Sequence, residues 1–473
     1  MTDIDLCYTP ASDLARLYRT KELSPVDVVQ NALRRIEDVN PDLNCFCFIY
    51  PEEALKKASI AEETLTREGY NAPLLTGIPL AIKDFTPTKG KVTTRGSRLL
   101  EDWVPNYDPV IIQRLEAAGA IMLGKTTTPE FATTGFTESP LWGITRNPWN
   151  TERTPGGSSG GSGAAVASGC VPLAEGTDMG GSIRMPAALC GIVGLKPSLG
   201  RIPMDVIDTV FDSISHFGPL ARTIEDATMF LSATQGEHPS DIQSLPCCDL
   251  SLPPQANVES LKIALNVNFG FYAVDPGVEA NLWRVAESLR DSGATVTEVD
   301  LDWDKSAVDD WYGTWRVFMA AAYANMTDVP LSKNRGRLSR EFVDLVEAGQ
   351  NIDAVTQRQW EFRRTVQWQK LGRILDEHHA LICPTMCIVA PPASLSGGDF
   401  AEVDENGFLR GMGMTSLFNY TAQCPVLAVP SGFHEGLPTG VQIVARKWDD
   451  ALALRIGAAV EKTMPWAHAR PPI

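Results

Sequence analysis

The apolar positions change character along the chain. In the first 70 residues they recur at helical spacing. Ser24-Pro25-Val26-Asp27 opens a helix, Ser as its cap and Pro in its first turn, and Val29, Leu33 and Ile36 then fall on one face. From Gly77 onward, short apolar runs bounded by Gly or Pro alternate with helical stretches. The runs predict strands at 78–82, 121–123, 193–195, 262–265, 296–299, 381–383, 426–429 and 441–444, with helices at 110–118 and 277–292 among them. Such alternation predicts an α/β fold, a central mixed, twisted sheet covered by helices on both faces.

Two stretches lack this periodicity. Residues 237–257, rich in Pro, Ser and Gln, read as a surface connection between the two halves of the chain, and Ser394-Leu395-Ser396-Gly397-Gly398-Asp399 reads as a flexible loop of the kind that closes over active sites. Farther along a helical pattern, Trp311, Trp315, Phe318 and Ala322 share one face, which suits either a core or an aromatic wall for an apolar ligand.

Composition narrows the function. The 473 residues carry 41 Lys and Arg against 58 Asp and Glu, a formal charge of −17, which disfavours a polyanionic partner because phosphate contacts need clustered cations. The N-terminus bears acids where a signal peptide carries lysines, and no run approaches the roughly 18 apolar residues of a membrane span. A soluble, cytoplasmic protein without nucleic-acid or membrane partners is expected. The ten cysteines lack metal-ligand spacing, so reduced thiols and no metal site are expected.

Candidate chemistry sits in two glycine-rich segments. The tract Thr154-Pro155-Gly156-Gly157-Ser158-Ser159-Gly160-Gly161-Ser162-Gly163 runs into an alanine-rich helical stretch, unlike a linker, and lacks the Gly-Lys-Ser/Thr ending of a phosphate loop. Beyond it, Gly176-Thr177-Asp178-Met179-Gly180-Gly181-Ser182-Ile183-Arg184 sets a serine after two glycines, where backbone N–H groups can turn inward to hold an oxyanion. A serine needs a base, and none of the six histidines has a triad-like setting. His216 reads as a packed side chain.

These segments, together with Thr76-Gly77-Ile78-Pro79-Leu80-Ala81-Ile82-Lys83-Asp84, Gly191-Ile192-Val193-Gly194-Leu195-Lys196-Pro197 and Gly436-Leu437-Pro438-Thr439-Gly440-Val441-Gln442-Ile443-Val444, resemble the amidase signature family in order and spacing. Its members use a Ser-cisSer-Lys triad. The resemblance covers most of the chain and implies one amidase-signature domain over 1–473, with a mainly helical segment 1–70 and a signature core at about 76–220. It implies Ser182 as nucleophile, Ser158 as bridging serine after a cis peptide, and Lys83 as base. Met179, Gly180, Gly181 and Ser182 would supply oxyanion-hole N–H groups, and Ser159, Asp178 and Arg184 a supporting network. Met179 departs from the small polar residue usual at its position. Substrate-facing residues of relatives fall near Met412, Met414 and Phe418, which joins these three to Trp311, Trp315 and Phe318 as candidate pocket residues.

Physical chemistry sets conditions on these roles. Lys83 must be neutral part of the time, so its pKa must fall from about 10.4 toward 7 or 8, which burial achieves provided no carboxylate stands beside it. On an extended strand, Asp84 points to the opposite face. The pattern is most similar to single-chain bacterial amidases, aryl acylamidases and urethanases. It predicts a cofactor-free monomer or homodimer acting on a small apolar amide, anilide or carbamate. The glutaminase component of the tRNA-dependent amidotransferases, their A chain, is the alternative reading, and a non-catalytic binding protein would require loss of a triad member.

Overall fold

The computed structural model describes residues 2–421 and 423–473. Its strands are β1 (Phe46–Ile49), β2 (Pro79–Lys83), β3 (Ile121–Thr126), β4 (Glu138–Ser139), β5 (Gly143–Ile144), β6 (Leu173–Asp178), β7 (Val193–Lys196), β8 (His216–Ala221), β9 (Lys262–Leu265), β10 (Thr295–Glu298), β11 (Ala380–Pro384), β12 (Val426–His434) and β13 (Leu437–Ala445). Among the described residues, eleven of them form one sheet in the order β1-β3-β2-β6-β8-β7-β12-β13-β11-β9-β10, while β4 and β5 pair separately. The sheet is mixed: β2 runs parallel to β3 and β6, and β6 runs antiparallel to β8.

Strand alternation sorts the core into layers. Leu80 and Ile82 of β2 face one apolar cluster, with Ile111 and Ile224 of flanking helices, whereas Ala81 faces another, with Val29 and Ala164. In β11, Ala380 and Ile382 join the first cluster and Leu381 and Cys383 a third, beneath the helix Ser306–Met326. Helices thus cover both faces, as the sequence predicts.

The eight predicted strands and two predicted helices all form, with shifted ends. Besides the short pair β4 and β5, three strands of the large sheet escaped the apolar pattern. β6 is Leu-Ala-Glu-Gly-Thr-Asp, buried throughout yet polar, because several of its side chains serve a site. β8 contains Gly218 and Pro219, which ordinarily argue against a strand interior. β1 is a four-residue edge strand inside the segment expected to be helical; around it the helices Ala11–Arg19, Pro25–Leu43 and Pro51–Glu68 form, and Ser24 caps the second through Val26 N–H at 3.0 Å. Residues 237–257 connect the helix Ile224–Thr234 to β9 without interrupting the sheet. No helix among the described residues is long and apolar enough to cross a membrane.

Candidate active site

Parallel strands β2 and β6 end side by side in the middle of the sheet, and their carboxyl ends carry the candidate residues. Lys83 closes β2, fully buried. Its Nζ donates to Ser158 Oγ at 2.7 Å and to Thr177 Oγ1, on β6, at 2.8 Å. Ser158 follows a cis peptide bond with Gly157, just before the helix Gly160–Ala167. Burial lowers the Lys83 pKa to about 7, against the opposing pull of the Glu175 and Asp178 carboxylates.

Asp84 points away from Lys83, as strand alternation requires. Its carboxylate accepts from Thr94 N–H and the Thr94 hydroxyl and lies 4.0 Å from Lys125 Nζ. The carboxylate that does stand near the amine, Glu175, lies one strand over and was missed. It accepts from Lys83 backbone N–H at 2.9 Å and from the Thr86 hydroxyl at 3.0 Å, and burial pushes it well above the ordinary carboxylate range.

Asp178, at the end of β6, organises the turn that leads to Ser182. Burial alone would raise its pKa, but Arg184 holds it well below the usual range, assisted by Asn419. Arg184 Nε and Nη2 each reach the carboxylate at 3.0 Å, and both residues are fully buried. Arg184 also donates to Thr415 O, Gln442 Oε1 and Asn419 Oδ1, none of which the sequence pattern placed here. Gln442 does lie in one of the family-like segments. Ser159 ties the two serine segments together, its N–H donating to Ser182 O at 3.1 Å and its hydroxyl to Thr177 O at 3.3 Å.

One expected oxyanion donor is already committed, because Gly181 N–H donates to Asp178 Oδ1 at 2.8 Å. The N–H groups of Met179, Gly180 and Ser182 have no protein acceptor among the described residues. The glycines are sterically required: a Cβ on Gly181, at φ +124°, would lie 2.0 Å from Thr415 Oγ1, and one on Gly180 2.3 Å from the Trp311 ring.

Ser158, Ser182 and Met179 line a cavity of about 590 Å³ whose other walls are largely apolar: Phe85, Trp103, Phe131, Trp315, Phe318 and Met319. Ser182 is half-buried. Of the candidate pocket residues, Trp315 and Phe318 line this cavity. Trp311 stands behind Gly180 and stacks on Trp315 at 5.8 Å. Met412, Met414 and Phe418 do not line it. The 412–414 segment hydrogen-bonds beside the end of β11 through Met412 O and Met414 N–H, which turns both side chains into packed clusters, and Phe418 packs on Phe269 and Trp303. The loop near 395 does not reach the cavity either, since Leu395 and Phe400 pack on the Phe136 cluster. Met204 and residues 206–209 border the cavity instead. His216 is buried, its Nε2 3.3 Å from Lys196 Nζ, and does not line the cavity.

Comparison with known proteins identifies the family. The model of the Amidase family matches residues 27–454. The chain belongs to the amidase family. It is 32% identical to an acylamidase of Rhodococcus erythropolis, over 100% of this chain and 98% of that one. It is 34% identical to the A chain of the glutamyl-tRNA(Gln) amidotransferase of Chloroflexus aggregans, over 99% of both. Among solved structures, a bacterial aryl acylamidase of the amidase signature family superposes with a TM-score of 0.90 at 28% identity, covering 97% of each chain. A 6-aminohexanoate cyclic dimer hydrolase bound to substrate gives 0.84 at 28% identity, over 98% of this chain and 99% of that one. The chain is thus an amidase-signature hydrolase of carbon–nitrogen bonds.

Proposed function

We propose that this amidase hydrolyses small, largely apolar amides, anilides or carbamates through an acyl-enzyme on Ser182. The observation that carries the reading is a fully buried amine, Lys83, bonded to Ser158 beside an apolar cavity onto which Ser182 opens. With the amine neutral, the 2.7 Å contact runs the other way, and the Ser158 O–H donates to the Nζ lone pair. Ser158 then takes the Ser182 proton as Ser182 Oγ attacks the carbonyl carbon. The developing oxyanion accepts from the unengaged N–H groups of Met179, Gly180 and Ser182. The proton returns through Ser158 to the leaving amine, or alkoxide for a carbamate cleaved at oxygen, and water discharges the acyl group by the same relay.

In this reading Asp178 and Arg184 are positioning residues, holding the 178–184 turn. The chemistry needs neither metal nor organic cofactor, and the enzyme acts as a cytoplasmic monomer or homodimer. Carbamates pass through the same kind of tetrahedral oxyanion as amides. The test is the purified chain on an anilide, a short aliphatic amide, an aryl carbamate and glutamine, with Ser182→Ala as control. Highest kcat/KM on the anilide or carbamate, abolished in the alanine variant, is expected. Dominant glutaminase activity would return the chain to the amidotransferase reading, and turnover surviving Ser182→Ala would refute the nucleophile.

A further inference from the structure

Arg95 is the only Arg, Lys or His among the described residues that line the cavity. The residue is half-buried, and its guanidinium packs against two rings, 4.8 Å from the centroid of Phe85 and 5.4 Å from that of Trp103. The same Phe85 ring lies 5.9 Å from Lys83 Nζ, so Arg95 stands at the reacting end of the cavity. Two long bonds, from Nε to Phe85 O at 3.3 Å and from Nη2 to Val206 O at 3.5 Å, engage few of its five donors. No carboxylate forms an ion pair with it among the described residues. Asp84 is engaged by Thr94, and Asp208, at the cavity border, by Asn325 at 2.8 Å.

The backbone holds this side chain where it is. Arg95 adopts φ 49°, a left-handed conformation that long side chains avoid, and is pinned by its N–H on Asp84 O at 2.9 Å and its carbonyl under Phe131 N–H at 2.7 Å. Asp84 fixes the neighbouring Thr94 as well. The carboxylate that strand alternation turns away from Lys83 therefore anchors the turn that presents Arg95.

A cation held by aromatic stacking in an apolar chamber, with unfilled planar donors and no acid in ion-pair contact, only Asp208 and Asp84 acting on it from farther off, is matched by a carboxylate. We propose that Arg95 is a specificity-determining residue that receives a carboxylate on the part of the substrate resting against Phe85 and Trp103. The preferred substrate is thus an apolar amide or anilide bearing one acid group. This inference rests on the reading of the enzyme as an amidase for small apolar substrates.

The experiment compares kcat/KM for 4-acetamidobenzoate and its methyl ester in the wild type, Arg95→Leu and Arg95→Lys. Taking the acid-to-ester ratio in each protein and dividing between proteins cancels the leaving-group electronics. The ratio is expected to fall roughly tenfold or more in Arg95→Leu and less in Arg95→Lys, which keeps the charge but not the planar fork. An unchanged ratio in folded Arg95→Leu overturns the proposal. A second measurement, calorimetric titration of the wild type with benzoate and with methyl benzoate, needs no variant and no turnover. Tighter binding of benzoate, weakening with salt, supports Arg95, and equal affinities overturn it. If the wild type turns over no anilide or amide, the functional reading fails, while the titration still decides the anion site.

Discussion

Replacing Lys83 by Met should stabilise the protein at low pH while abolishing activity. Burial moves the amine from 10.5 to about 7, a destabilisation of about 5 kcal/mol at about 1.4 kcal/mol per unit when the group is protonated. Against this, Met leaves the Ser158 and Thr177 hydroxyls without their amine partner, which costs about 1–3 kcal/mol for each buried group. The pH dependence separates the two effects. Between pH 7 and 10.5 the folded wild type binds fewer protons at Lys83 than the unfolded chain, so this group adds a rise in stability through that window that the variant lacks. The advantage of Lys83→Met should therefore be largest at pH 6 and shrink or reverse by pH 9.5. Because Glu175 is also shifted by burial and its charge acts on this amine, the comparison is made in a Glu175→Gln background. Urea midpoints followed by tryptophan fluorescence at pH 6, 8 and 9.5 provide the assay. An advantage that is constant across this range, or that grows with pH, would show that the amine does not change protonation on folding, and the argument for a neutral base would collapse.

The same shift predicts that kcat/KM falls about tenfold per unit as pH drops below about 7, since protonation removes the lone pair that Ser158 must reach; a flat profile from pH 5 to 7 rejects the base role. Asp178→Asn leaves the buried Arg184 guanidinium short of its counter-charge, and chemical denaturation should show a loss of about 3–5 kcal/mol together with a fall in kcat; stability within 1 kcal/mol of wild type, roughly the effect of an exposed pair, would contradict the pairing. Gly180→Ala drives a methyl into the Trp311 ring and should lower kcat more than it raises KM if the displaced groups are the oxyanion donors proposed above; a change confined to KM would place the ring in substrate binding instead.

How much the sequence revealed depended on what each residue was for. Apolar residues on regular strands, such as Leu381 and Ile382, announced β11 because burial was their only task. β6 was hidden by its own chemistry, since Glu175, Thr177 and Asp178 are buried to serve Lys83 and the 178–184 turn, and a polar run reads as a loop. Lys83, Ser158 and Ser182 stood in motifs recognisable in order, and the structure gathers them at the ends of β2 and β6. The pocket was the least legible part. An aromatic stripe shows which face of a helix is apolar but not what that face meets, so Trp311 and Trp315 looked equivalent although one backs Gly180 and the other lines the cavity. Met412 and Met414 misled for a related reason: proximity in sequence to substrate-facing positions does not fix the direction in which a loop turns its side chains.

The arrangement around Lys83 shows how a lysine can stay a usable base among acids. Two carboxylates, Glu175 and Asp178, act on the amine and a third, Asp84, adjoins it in sequence; any of them, ionised, free and facing it, would hold the amine protonated. Asp84 is removed by the alternation of the strand and spent on Thr94 and the neighbourhood of Lys125. Asp178 is neutralised by Arg184 and further occupied by Asn419 and Gly181 N–H. Glu175 is not paired with the amine itself; it accepts from the Lys83 backbone N–H and from Thr86, and burial favours its protonated form. What the amine meets directly is two hydroxyls. Hydroxyls can accept from the charged amine or donate to the neutral one, so the site tolerates both protonation states that a proton relay must visit. Disarming the acids in this way takes Arg184, Lys125 and Thr94, which accounts for why so much buried polarity surrounds the amine of the proposed relay.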